Sequence, residues 1–110
     1  IFRKTLGPEC ADIGYVMHDT ACVFEKQGKL EEATEMVEEA LVITRRALGD
    51  AHPVVAEMLY SLARCKKDAG DAVRTVVCLR EAWSIYKKRG VTHGTAEDVV
   101  AALSRLEGGV

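Results

Sequence analysis

One hundred and ten residues amount to one domain at most, and with 48% of them apolar and 29% charged the chain can bury a core and stay in solution. A formal charge of −2 lacks the basic excess of a nucleic-acid module, and no apolar run approaches the roughly 20 residues that a membrane-spanning helix needs. No signal-peptide pattern opens the chain, and its four cysteines, Cys10, Cys22, Cys65 and Cys78, form no CxxC pair. They read as reduced thiols of a cytoplasmic protein rather than as disulfides or metal ligands.

The pattern is helical from end to end. Ile13, Met17, Thr20, Ala21 and Phe24 keep a spacing of three to four, which predicts a first helix over about residues 9–27. Gly28 follows in the position favoured for a left-handed cap. A second helix is predicted from about Leu30 to Ala47, with Leu30, Ala33, Val37, Ala40, Leu41 and Leu48 facing inward. Its first turns carry Glu31, Glu32 and Glu35 and its end carries Arg45 and Arg46, an order that suits the helix dipole. The glutamates from Glu31 to Glu39 form a solvated outer face in this reading. Leu48 and Gly49 close the helix.

His52 and Pro53 then read as a connector and a helix start, since proline loses nothing in a first turn. Val55, Leu59, Leu62 and Ala63 follow at helical spacing, and Gly70 ends the third helix. Asp71 is an N-cap for a fourth helix over Ala72–Arg89, with Val76, Leu79, Ala82, Trp83 and Tyr86 on its apolar side. Thr95 with Asp98 three residues on resembles a capping box that opens a last helix through Val99, Val100, Leu103 and Leu106. Gly108 and Gly109 end it.

A step of 42 residues runs through these elements: Ala21, Gly28, Glu39, Ala40 and Ile43 recur as Ala63, Gly70, Glu81, Ala82 and Ile85. Identity at small and apolar positions marks stacked units rather than one closed globule. Ile1, Arg3, Leu6 and Gly7 likewise recur as Ile43, Arg45, Leu48 and Gly49. Residues 1–7 are therefore expected to end a preceding unit, 8–49 and 50–90 to be whole units, and 91–110 to hold the first helix of a further or capping unit. A polypeptide longer at both ends is the expectation. Alanines should sit where helix axes cross, and Gly14, which stands where the next unit has Ala56, should mark a close approach.

The unit resembles a tetratricopeptide repeat of the kinesin-light-chain type. Leu59-Tyr60-Ser61-Leu62-Ala63, Gly28-Lys29-Leu30-Glu31-Glu32-Ala33, the pairs Ala40-Leu41 and Ala82-Trp83, and the connector Leu48-Gly49-Asp50-Ala51-His52-Pro53 carry the resemblance. Thr20 and Lys66 depart from it, as does the lack of asparagines in the first helices. The resemblance implies an all-α solenoid of antiparallel helix pairs, wound as a right-handed superhelix, with the first helix of each pair lining a concave groove that binds a peptide or helix.

Mapped onto that groove, the exposed positions are Tyr15, His18, Asp19, Cys22 and Glu25 in one unit and Glu57, Tyr60, Ser61, Arg64 and Lys67 in the next, with Ser104 and Arg105 in the last helix. Tyr15, Tyr60 and Arg64 are the expected anchors, aromatic or bidentate in the manner of interface hot spots. A lysine–asparagine clamp for a C-terminal carboxylate, known in one subclass of such repeats, is replaced here by His18 with Cys22 and Tyr60 with Arg64, so a chaperone-tail binder is not expected. His18 and Cys22 stand one turn apart but have no second pair to complete a metal site. His18, Asp19 and Ser61 do not read as a triad, because neighbours on a helix point about 100° apart. Neither catalysis nor a cofactor is expected. The leading function is a protein-interaction scaffold. Its rivals are a module that pairs with itself through exposed ends, with Phe2, Leu6, Val99, Leu103 and Leu106 as candidates, and an array that regulates an enzyme or NTPase domain.

Overall fold

The computed structural model describes residues 8–92 and 94–108, which form five α-helices: α1 (Pro8–Lys26), α2 (Leu30–Leu48), α3 (Pro53–Asp68), α4 (Ala72–Arg89) and α5 (Thr95–Leu103). A wider turn of π geometry, Ser104–Gly108, continues α5. The described residues contain no strand. Residues 1–7, with Phe2 and Leu6 among them, lie outside the described part, as does Gly109.

Local chemistry explains where each helix starts and stops. Gly28 and Gly70 hold φ of +83° and +87°, a conformation that costs a glycine little. Each lets the next amide turn back, Lys29 N–H to the Phe24 carbonyl at 2.9 Å and Asp71 N–H to the Lys66 carbonyl at 2.8 Å. His52 caps α3 with its ring, Nδ1 accepting the Val54 N–H at 3.1 Å, while Pro53 fills the first turn. The Asp71 carboxylate accepts the Arg74 N–H at 3.0 Å and starts α4. The capping box expected at Thr95 is not formed. Gly94 occupies the cap, with no side-chain bond, and Thr95 is already helical. A threonine hydroxyl caps only from the half-turned position before the first helical residue.

The helices pair in antiparallel fashion, α1 with α2 and α3 with α4, and α5 packs on α4. The fold is thus the all-α stack of helix pairs that the repeat predicted. Ala21, Ala33, Ala40, Ala63 and Ala82 are all buried at the crossings, with Met58, Leu79, Val37 and Val55 filling the space between. Gly14 is the closest approach. A Cβ there would run into Thr44 Oγ1 and meet the Ala40 carbonyl at 3.4 Å, so α1 lies tight against α2 only because this position has no side chain.

Two walls result. α1, α3 and α5 form one, α1 touching α3 and α3 touching α5. α2 and α4 form the other, linked by Arg45 Nη2 donating to Glu81 Oε2 at 2.7 Å. α3 is in contact with all four other described α-helices. Glu31, Glu32, Glu35, Glu38 and Glu39 are exposed on α2 as expected, although Glu38 also meets Lys66 Nζ at 3.5 Å. Trp83 is half-buried against the core under the Lys87 ammonium. Arg89 Nε donates to the Ala51 carbonyl at 2.9 Å and so ties α4 to the connector before α3.

Val99 is fully buried and Leu103 half-buried against the core, so neither is free for the end-to-end pairing expected of them; Leu106 remains exposed. The α4–α5 contact consumes that side of α5 because α5 uses the same edge as α3. Cys22, Cys65 and Cys78 are free thiols, and burial pushes the Cys65 and Cys78 thiols up. No described helix is long and apolar enough to cross a membrane.

Candidate functional site

The wall of α1, α3 and α5 carries the predicted groove residues, but it does not present them as one surface. Helical spacing places Tyr15, His18, Asp19, Cys22 and Glu25 along one side of α1, and Glu57, Tyr60, Ser61, Arg64 and Lys67 along one side of α3. Where α1 meets α3, these two rows close on each other. His18 Nε2 and Ser61 Oγ share a hydrogen bond of 2.6 Å. Arg64 Nη2 donates to Glu25 Oε1 at 2.9 Å, with the guanidinium 5.5 Å from the Tyr60 ring centre.

Ser61 therefore departs from expectation. It is 6% exposed, a seam residue and not a groove contact. The His18–Ser61 contact is real, but it makes no triad. Asp19 is exposed, and no described hydrogen bond joins it to the imidazole. Burial lowers the His18 pKa from its ordinary value, against the opposing pull of Asp19, Glu57 and Glu25, while Arg64 adds to the lowering. The ring is neutral at pH 7. Among the described residues no three of His, Cys, Asp and Glu gather as a metal site.

One unit further along, the wall opens. A cavity of about 140 Å³ lies between α3, α4 and the end of α5. Ala63, Leu79 and Ala102 contribute its apolar lining, together with Thr75 and Leu106. Tyr60, Arg64, Lys67 and Arg105 complete it, and none of the described side chains around it is acidic. Four of the predicted groove residues are thus brought together. Tyr15, Asp19, Cys22 and Glu57 are not among the cavity's lining residues; Tyr15, Asp19 and Glu57 are exposed on the wall, and Cys22 is half-buried.

The seam and the cavity are equivalent places. The step from α1 to α3 is 42 residues, so His18 becomes Tyr60 and Glu25 becomes Lys67. From α3 to α5 a step of 41 residues sets buried Ala96 and Val99 where Val55 and Met58 stand, so Ser61 becomes Ala102 and Arg64 becomes Arg105. The His–Ser hydrogen bond is replaced by Tyr beside Ala. The Glu–Arg ion pair is replaced by Lys and Arg. Neither attractive pair is present at the second place, and Lys67 and Arg105 face the hollow beside Arg64, whose guanidinium is held by Glu25 in the seam.

The geometry agrees with what the sequence is similar to. A family model for the tetratricopeptide repeat matches residues 21–88, which span α2, α3 and nearly all of α4 together with the last turn and a half of α1. The chain belongs to the tetratricopeptide repeat family. No curated protein matches it. Tetratricopeptide repeats generally mediate protein–protein interaction and are typically non-catalytic. In this tetratricopeptide segment, sequence reasoning missed Ala102, Leu106, Thr75 and Leu79 as parts of the hollow. The 41-residue step into α5 is the signal that finds Ala102, although α5 shares too few identities with α3 for the step to stand out alone.

Proposed function

We propose that this protein is an interaction scaffold that takes a segment of a partner protein on the α1–α3–α5 wall and anchors an acidic side chain of that segment in the cavity between α3 and α5. The observation that carries the reading is the exchange of Glu25 for Lys67 and of Ser61 for Ala102 between equivalent places, which leaves Lys67 and Arg105 around an apolar hollow that no described acidic side chain lines, beside Arg64, which Glu25 already holds from the seam. Charge-assisted hydrogen bonds to a carboxylate are the stronger kind, and an apolar floor excludes water from around them. Tyr60 supplies a flat, half-buried ring at the rim, suited to an interface anchor. Tyr15 extends the contact along α1.

The repeats belong, in this reading, to the 42-residue kinesin-light-chain kind, which the His52–Pro53 connector supports by capping α3 as a unit boundary. The free thiols Cys22, Cys65 and Cys78 support a reducing, cytoplasmic setting. The reading involves neither nucleic acid nor a membrane surface.

Selection from a random peptide display library tests it. Enriched peptides should share an Asp or Glu next to an apolar residue. Reversing Lys67 and Arg105 to Glu should weaken the best peptide by at least about tenfold, or about 1.4 kcal/mol. Enrichment without acidic residues, or affinity untouched by the reversal, removes the anchor. Enrichment that depends on a free C-terminus would assign the cations to a terminal carboxylate instead.

A further inference from the structure

Between the starts of α3 and α5 the wall carries a pair of acids above a buried phenol. Glu57 and Asp98 are both exposed, and the 41-residue step makes them equivalent residues of neighbouring helices. Neither is in an ion pair among the described residues. One step earlier the same two places hold Tyr15 and Glu57, so the acids are paired at the second place and not at the first.

Tyr86 of α4 forms the floor. It is packed in the core and 2% exposed, yet its hydroxyl has no hydrogen-bond partner among the described residues. Thr95, Glu57 and Asp98 are the polar side chains close enough to act on that oxygen, and Thr95 does not complete a hydrogen bond with it. A buried hydroxyl left without a partner costs free energy that a phenylalanine here would not. The positive starts of α3 and α5 account for carboxylates at these places, but not for the phenol beneath them.

A bound cation accounts for all three residues. Two carboxylates outweigh the roughly half charge at each helix start, so the place attracts positive charge. A divalent metal asks for about six or more oxygens, whereas no three metal-binding side chains gather among the described residues. An ammonium or guanidinium asks for less and can be shared by two carboxylates. Drawn together over it, the carboxylates come within reach of the phenol, whose O–H then has an acceptor. We propose that Glu57 and Asp98 clamp a basic side chain of the partner segment whose acidic side chain is anchored by Lys67 and Arg105, with the Tyr86 hydroxyl positioning the clamp. This rests on the function proposed above and adds a spacing to it. Glu57 stands ten residues before Lys67, and Asp98 seven before Arg105. At the helical rise the two anchors lie about 10–15 Å apart, which an extended segment covers in about three to five residues.

The random peptide display library tests this anchor separately from the acidic one. Enriched peptides should carry a Lys or Arg about three to five residues from the Asp or Glu. Selection on the variant with Glu57→Gln and Asp98→Asn should lose the base, and the best parent peptide should bind that variant at least about tenfold more weakly by calorimetric titration. Tyr86→Phe should weaken the same peptide by at least about threefold while the free protein melts no lower, an opposition that a packing role would not produce. Acidic peptides with no base at a fixed spacing overturn this proposal and leave the acidic anchor standing. Basic peptides with no acid bear out the clamp and remove the acidic anchor. Full affinity in the Tyr86→Phe protein, or peptide binding that needs added calcium, overturns the clamp as drawn.

Discussion

The α1–α3 seam and the α3–α5 gap occupy equivalent places in two successive steps of one stack, yet one is sealed and the other is open. At the seam, His18 meets Ser61 and Glu25 meets Arg64. At the gap, Tyr60, Ala102, Lys67 and Arg105 hold the same positions and line a cavity of about 140 Å³. What differs is whether each side chain finds a complement across the helix pair. In the function proposed above, the binding place is set by withholding partners, not by adding a new element.

The most drastic way to break the comparison is to move the seam into the gap. Tyr60→His, Lys67→Glu and Ala102→Ser together recreate the seam's residues, and binding of an acidic peptide should fall by at least about tenfold, as read by calorimetric titration. Next in size is the loss of the seam's buried hydrogen bond. Ser61→Ala should lower unfolding free energy by about 1 kcal/mol in urea melts, whereas Ala102→Gly, made at the equivalent place, tests packing without any hydrogen bond to lose.

The charges alone come third. Glu25→Lys should cost no more than about 0.5 kcal/mol, and Lys67→Glu should gain a similar amount, because Lys67 is exposed, the Glu25–Arg64 pair opens to solvent on the arginine side, and such ion pairs are weak. High salt should erase both effects.

The pH profile is the smallest expected effect. His18 titrates below its ordinary 6.5 in the folded protein, so the unfolded chain binds its proton first. The stability from a neutral His18 is complete above pH 6.5 and is lost as pH falls from there through the folded value. Thermal melts from pH 8 down to pH 5 should show that limb, and His18→Gln should flatten it. Tyr86 acts at the other end. Burial pushes its phenol from 10 up to about 12, with Glu57 and Asp98 adding to the shift, so its contribution is whole below pH 10 and declines above it.

Much of this fold could be read before any coordinates. Gly28, Asp71 and Pro53 announce helix boundaries through backbone chemistry that acts within a few residues, and α4 begins and ends at Ala72 and Arg89 as read. Gly14 beside Thr44 was foreseeable because a mid-helix glycine has a cost that only a close crossing offsets. Thr95 misled because the residue before it, Gly94, took the cap instead. The site was harder. Tyr60, Arg64, Lys67 and Arg105 followed from the repeat, but Ser61 was read as a groove contact and is buried. Helical period gives the direction of a side chain and not the distance to the next helix. That distance is set by two helices at once, and the shift from 42 to 41 residues at α5 altered what faced what.

α3 touches every other described helix, while α1 and α5 do not have that support. Its contacts make it the last element able to open without taking the rest along, so its amides should set the ceiling for hydrogen exchange in the whole segment. α1 and α5 can fray singly, each against fewer neighbours. Tension applied to the ends would then peel the stack inward from both sides and leave the Tyr60–Arg64–Lys67 row on the final element to yield. The binding surface proposed there would keep half of its wall even when the segment is partly undone.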